Sequence, residues 1–183
     1  IIPKIVGVDL DARLLIGDKV RFISKCPECN TNLIRYDGEA AHYCPNQMHC
    51  PPQIKGRIEH FVSRKAMNIN IGKESIELLY SKGLINNVAD LYSLTLEDLI
   101  SLERWGQKSA ENLLKSLEES KKVEFHRVLF ALGIRFVGAT VAKRITNQLS
   151  SMEAISSATI EQLMKIDDVG ERVANSIVDF FSN

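Results

Sequence analysis

From Pro51 onward the apolar residues recur at helical rather than alternating spacing, and the chain falls into short amphipathic segments parted by glycine-bearing turns. Ile54, Ile58, Phe61 and Val62 share one face of a segment opened by Pro51-Pro52, residues suited to the first turn of a helix. A second segment, Glu74 to Ser81, ends at Lys82-Gly83 in the manner of a C-terminal cap. Thr95 with Asp98, and Thr159 with Gln162, have the spacing of an N-cap whose third following residue reaches back to it. After Gly106, Ala110, Leu113, Leu114 and Leu117 line one face, while Glu111 precedes Lys115 by four residues on the other. No such segment can bury its apolar stripe alone, so the pattern predicts a mainly α, stacked arrangement. Upstream the rhythm differs. Ile2 to Val8 and Lys19 to Ile23 read as β-like stretches parted by Gly17-Asp18, and Leu33 to Tyr36 faces Ala41 to Tyr43 across an Asp37-Gly38 hairpin signal.

The helical part is repetitive. Gly106, Gly138 and Gly170 follow one another at a constant interval of 32 residues, and Ser93–Ala110 overlays Ser157–Ala174 at an offset of 64. Ala131–Ala142 matches the second half of the same template, and Ile69-Asn70-Ile71-Gly72-Lys73 with Ile76 reads as an earlier copy whose hairpin is one residue shorter. Repeats of this size mark helical units that stack on one another. A glycine ahead of each second helix is expected to relax the backbone and to leave amides bare at the positive end of the helix, as in an anion cradle. Four such turns, near residues 69–73, 102–106, 134–138 and 166–170, resemble the helix-hairpin-helix motif of DNA-binding proteins. That resemblance implies sequence-independent contact with backbone phosphates. It points to Gly72, Lys73, Arg104, Gly106, Lys108, Arg135, Gly138, Lys143, Gly170 and Arg172. Where the motif has its first glycine, this chain has Arg104, Phe136 and Asp168, and Asp167 and Asp168 would repel a phosphate. The second and third hairpins, with Arg144 also nearby, are therefore expected to hold DNA more strongly than the fourth. A protein-binding helical repeat is the competing reading. Trp105 stands where Val137 and Val169 stand in other copies, which favours core packing over contact with DNA.

Charge tempers this picture without overturning it. Among 183 residues, 23 Lys and Arg balance 23 Asp and Glu, so a strongly basic footprint is missing. A local excess lies between Pro51 and Lys73, where Lys55, Arg57, Arg64, Lys65 and Lys73 face Glu59 alone. No apolar run approaches the roughly twenty residues that span a bilayer, and no signal peptide is evident, so no membrane association is expected. The chain opens on Ile1 without a Met and reads as a piece of a longer protein.

Cys26, Cys29, Cys44 and Cys50 are all the cysteines in the sequence. Two thiolates two residues apart can grip one metal, and a second pair arriving from beyond a hairpin completes a tetrahedron. Disulfides are the alternative, but nothing points to secretion. His42 or His49 could replace one thiolate; the expectation is four cysteines holding a structural zinc. With ligation worth about 10–16 kcal/mol in small zinc peptides, the ribbon is expected to depend on its metal.

No catalytic constellation emerges. Arg35-Tyr36-Asp37-Gly38 resembles the Lys-x-Asp-Gly signature of nucleotidyltransferases, but an arginine stays protonated and cannot be the nucleophile. The histidines at 42, 49, 60 and 126 are scattered.

A zinc ribbon followed by four hairpins resembles the C-terminal half of bacterial NAD-dependent DNA ligases. Ile2-Pro3-Lys4-Ile5-Val6-Gly7 is similar to the last strand of their OB fold, and Cys26-Pro27-Glu28-Cys29 through Cys50-Pro51-Pro52-Gln53 to their zinc finger. Arg57 to Arg64 with Ala66-Met67 resembles the linking helix, and Ala89 to Tyr92, Lys108-Ser109-Ala110 and Ala131 to Arg135 the hairpin domain. The resemblance implies an OB-fold end over 1–23, a four-cysteine zinc finger over 24–51 and a helix-hairpin-helix domain over 52–183. It also implies a cytoplasmic, nucleoid-associated bacterial enzyme that seals nicked duplex DNA. NAD and Mg would be bound outside this chain, whose partners would be the adenylation, OB and BRCT domains. A stand-alone helix-hairpin-helix repair adaptor is the alternative.

Overall fold

The computed structural model describes residues 4–7, 9–13, 21–103 and 105–182. It divides into two compact units, Ile1–Asn46 and Gln47–Asn183.

In the first unit, Lys4 to Gly7 and Arg21 to Ile23 are exposed and form no strand. The β-like reading of this region thus fails wherever it can be tested, and the rest of both stretches lies outside the described residues. Helix α1 (Leu10–Arg13) is a single turn, begun where the Asp9 carboxylate accepts the amides of Asp11 and Ala12 at 3.0 and 3.1 Å. The ribbon is tied by two antiparallel bridges, Lys25 with Asn32 and Ile34 with Tyr43. Between the latter pair the predicted turn forms, with Gly38 at φ 73° and the Glu39 amide donating to Tyr36 O at 3.1 Å. Arg35 donates from Nε to the Glu39 carbonyl, so the tetrapeptide that mimics a nucleotidyltransferase signature is a self-bonded turn.

The second unit is helical: α2 (Pro51–Val62), α3 (Lys73–Ser81), a 3₁₀ turn (Ala89–Ser93), α4 (Leu96–Ile100), α5 (Gln107–Ser120), α6 (Phe125–Ala131), α7 (Ala139–Gln148), α8 (Met152–Ser156), α9 (Ile160–Leu163) and α10 (Glu171–Ser182). The four hairpins pair off around two cores. Ile58, Ile76, Leu79, Ile85, Leu91, Leu99 and Leu113 centre the first, built by α2 to α5. Leu129, Ile145, Ile155, Leu163 and Ile177 centre the second, built by α6 to α10. Trp105 packs against the first core, as its alignment with Val137 and Val169 implies. The pairs are joined by His60, whose Nε2 donates to Phe130 O at 2.8 Å, and by Arg127, which donates to Arg64 O at 2.7 Å.

The repeat has a direct physical meaning. The carbonyls of Gly72, Gly106, Gly138 and Gly170 accept the first helical hydrogen bonds from Ile76, Ala110, Ala142 and Ala174, at 3.0, 3.2, 2.8 and 3.0 Å. The three alanines are wholly buried, because that first turn lies against the partner helix and leaves room for a methyl group. The first hairpin is one residue shorter at its tip, as expected, with the Ile71 amide donating to Ile69 O where Trp105, Val137 and Val169 donate to Leu102 O, Ile134 O and Ile166 O; a further turn over residues 64–67 precedes it, so the whole connection before α3 spans residues 63–72. On the surface of α5, Glu111 accepts from Gln107 at 2.8 Å while Lys115 pairs with Glu119 at 3.9 Å, so the expected Glu111–Lys115 pair does not form.

Candidate functional site

The four cysteine sulfurs converge, each within 4.8 Å of every other, and no histidine joins the group. None of the four is in a disulfide, and Cys29 and Cys44 sulfurs stand 3.4 Å apart, well beyond the roughly 2.05 Å of an S–S bond. A tetrahedral zinc with Zn–S bonds of about 2.3 Å needs sulfurs about 3.8 Å apart, so this donor set fits the metal. The loop positions the first pair: Asn30 takes φ 58°, and the Cys26 amide donates to Thr31 O at 2.8 Å. The Thr31 hydroxyl, 3.2 Å from Cys29 Sγ, and the Thr31 amide pull the Cys29 thiol down to about 6, towards the thiolate that binds metal. His42 stacks on Phe22 at 4.9 Å between centroids. With four thiolates no coordination position stays open, so the zinc is structural.

The hairpin tips form the second candidate site. Gly72, Gly106, Gly138 and Gly170 are all exposed. At the first three, φ is −91°, −93° and −79°, ordinary extended backbone, and a Cβ added at any of the four would meet nothing within 4 Å. The expectation that these glycines relieve a backbone conflict is therefore wrong; neither conformation nor packing requires them. The helices behind them are also uncapped, since no side chain accepts from the first turns of α3, α5 or α7. By contrast α4, α8 and α9 are capped by Thr95, Ser151 and Thr159. The Thr95 hydroxyl and amide hold the Asp98 carboxyl below the usual range, and their own backbone amides, with the Ser151 and Thr159 hydroxyls, do the same for Glu153 and Glu161.

Where the motif has its first glycine, the left-handed conformation persists without one: Phe136 has φ 66° and Asp168 φ 63°. Arg104 lies outside the described residues. Around these tips Lys73, Lys108, Arg135, Lys143 and Arg172 are exposed. Lys73 approaches Glu59 at 3.8 Å. The third and fourth hairpins meet, with Arg144 pairing to Asp168 at 2.9 Å and to Asp167 at 3.9 Å. Arg172 lies over the Phe136 ring at 4.1 Å, and Arg135 over the same ring at 4.7 Å. The aromatic contact was missed from sequence, although a phenylalanine at a glycine position was its signal.

Paired helical hairpins and a four-cysteine centre in one chain define a zinc-finger protein with a tandem helix-hairpin-helix array. The NAD-dependent DNA ligase C4 zinc finger domain matches residues 25–51, the SAM-like helix-hairpin-helix tandem residues 70–119, and the helix-hairpin-helix motif residues 127–183. DNA ligases of Parabacteroides distasonis, Phocaeicola vulgatus and Bacteroides fragilis are 63%, 59% and 57% identical to it over 184 aligned positions. In each case the alignment covers 100% of this chain and 28% of the relative. Over its whole length the chain matches the zinc-finger and helix-hairpin-helix region of NAD-dependent DNA ligases. Among the described residues no helix is long and apolar enough to cross a membrane.

Proposed function

We propose that this chain is the DNA-holding portion of a bacterial NAD-dependent ligase, its hairpin amides gripping backbone phosphates on duplex DNA around a nick. One observation carries the reading: four exposed glycines that neither the fold nor the packing needs, three of them opening helices that no side chain caps. A serine or aspartate there would cap the helix, as Thr95 and Thr159 do elsewhere, but it would occupy the place of an approaching phosphate. The amides after Gly72, Gly106, Gly138 and Gly170 then receive the anion, and Lys73, Arg104, Lys108, Arg135, Lys143 and Arg172 add charge. Such contacts position DNA without reading its sequence.

Cys26, Cys29, Cys44 and Cys50 hold the zinc and give the finger a fixed shape. By family likeness the sealing chemistry uses NAD and Mg bound by other domains, with the adenylation, OB and BRCT domains as partners, in the bacterial cytoplasm. The test is a titration of the zinc-loaded chain with nicked duplex at several salt concentrations. Binding should be indifferent to sequence, and its log-log dependence on salt should steepen by about 0.9 per phosphate engaged. Lys108→Glu with Arg135→Glu should abolish it. No binding at low salt, or binding untouched by both reversals, overturns the reading.

A further inference from the structure

Among the described residues with left-handed backbone, Asn30, Asn68 and Asp168 are the residue types that tolerate it, and Phe136 is not. A bulky residue held there needs something to hold it. Its ring is half-exposed, at 39%, so core burial does not supply the reason. What the ring does touch is cationic: Arg135, its neighbour on the third hairpin, at 4.7 Å and Arg172, from the first turn of α10 behind the fourth hairpin, at 4.1 Å. Two guanidinium groups repel each other in the open, and an aromatic face that attracts both is a means of keeping them together.

We propose that Phe136 is a positioning residue, holding Arg135 and Arg172 as one cationic pair that spans the third and fourth hairpins and receives a phosphate of the DNA backbone. This rests on the reading of the hairpins as phosphate contacts. It also removes the ground for ranking the fourth hairpin below the third: Asp168 is engaged by Arg144 at 2.9 Å, and the fourth hairpin contributes its charge through Arg172.

The test compares Phe136→Leu, which keeps an apolar side chain but removes the ring face, with Phe136→Trp, which keeps one. Affinity for a nicked duplex is measured over a salt series, with thermal melting of each variant alongside. Phe136→Leu should lose affinity by about fivefold, with the salt slope shallower by about one unit, while Phe136→Trp binds as the parent does. In an Arg172→Gln background the loss from Phe136→Leu should largely vanish, because the ring acts through that arginine. If Phe136→Leu does not fold, Arg172→Gln alone should show the same loss and the same shallower slope. Parental affinity and slope in Phe136→Leu, or in Arg172→Gln, overturn the proposal while leaving the DNA-binding reading intact. A parent chain that binds no DNA overturns both.

Discussion

At Gly133 the backbone sits at φ 69°, and a Cβ there would stand 3.4 Å from the His60 ring. At Gly106 and Gly138 the backbone is extended and the space is open. The same substitution should therefore separate folding from binding. Gly133→Ala should lower unfolding free energy by about 1–2 kcal/mol in urea titrations. Gly106→Ala or Gly138→Ala should shift stability by less than about 1 kcal/mol. Each should nonetheless weaken DNA binding about tenfold, the loss expected from one charge-assisted hydrogen bond. A parallel fall in stability and affinity at all three positions would refute this division. From sequence these glycines could be located but not sorted, because φ and the space around a missing Cβ are properties of the folded chain. Likewise Phe136 could be seen as a departure, but not that Arg172, 36 residues later, meets its ring.

The helices that begin with a side-chain cap are the short ones, α1, α4, α8 and α9, which have little length over which to accumulate hydrogen bonds. Thr95→Ala or Thr159→Ala should each cost about 1 kcal/mol in unfolding free energy. The Asp98 carboxyl accepts both the hydroxyl and the amide of Thr95, which lowers its affinity for protons in the folded state. Its contribution is therefore complete above the ordinary carboxylate range and is lost as pH falls from there through the lowered folded-state value. Asp98→Asn should lose stability at neutral pH and show a correspondingly weaker decline on acidification, measured by denaturation across a pH series. Both capping boxes were legible because they depend on residues three apart. The extra turn ahead of the first hairpin was not, since the left-handed residue Asn68 and its bond to Ser63 O depend on how α2 ends. Over Lys4 to Gly7 and Arg21 to Ile23 the β-like reading misled for a related reason: apolar alternation reports a strand only where other strands pair with it.

At the scale of the whole molecule, the two units draw on unlike sources of stability. Among the described residues of the first, Cys26 alone is buried, so metal ligation takes the place of an apolar core. The second has two cores and, among its described residues, no metal ligand beyond Cys50. Chelation of zinc should collapse the amide resonances of residues 26–44 while the helical circular dichroism persists. Loss of the helical signal together with the ribbon would show that zinc holds more than the finger. This contrast was readable from four cysteines and a change of hydrophobic period, whereas the division of the hairpins into pairs was not, because equal spacing conceals which neighbours share a core.

Phe130 packs against both of those cores, and its carbonyl receives the His60 ring. The ring thus belongs to each pair of hairpins, and together with the Arg127 bond to Arg64 O it ties two separately built pairs to one another. The positions of the first and last hairpin tips are thereby tied to one another through a shared aromatic ring, so on the proposed reading of those tips the spacing of the phosphates they take is set when the chain folds.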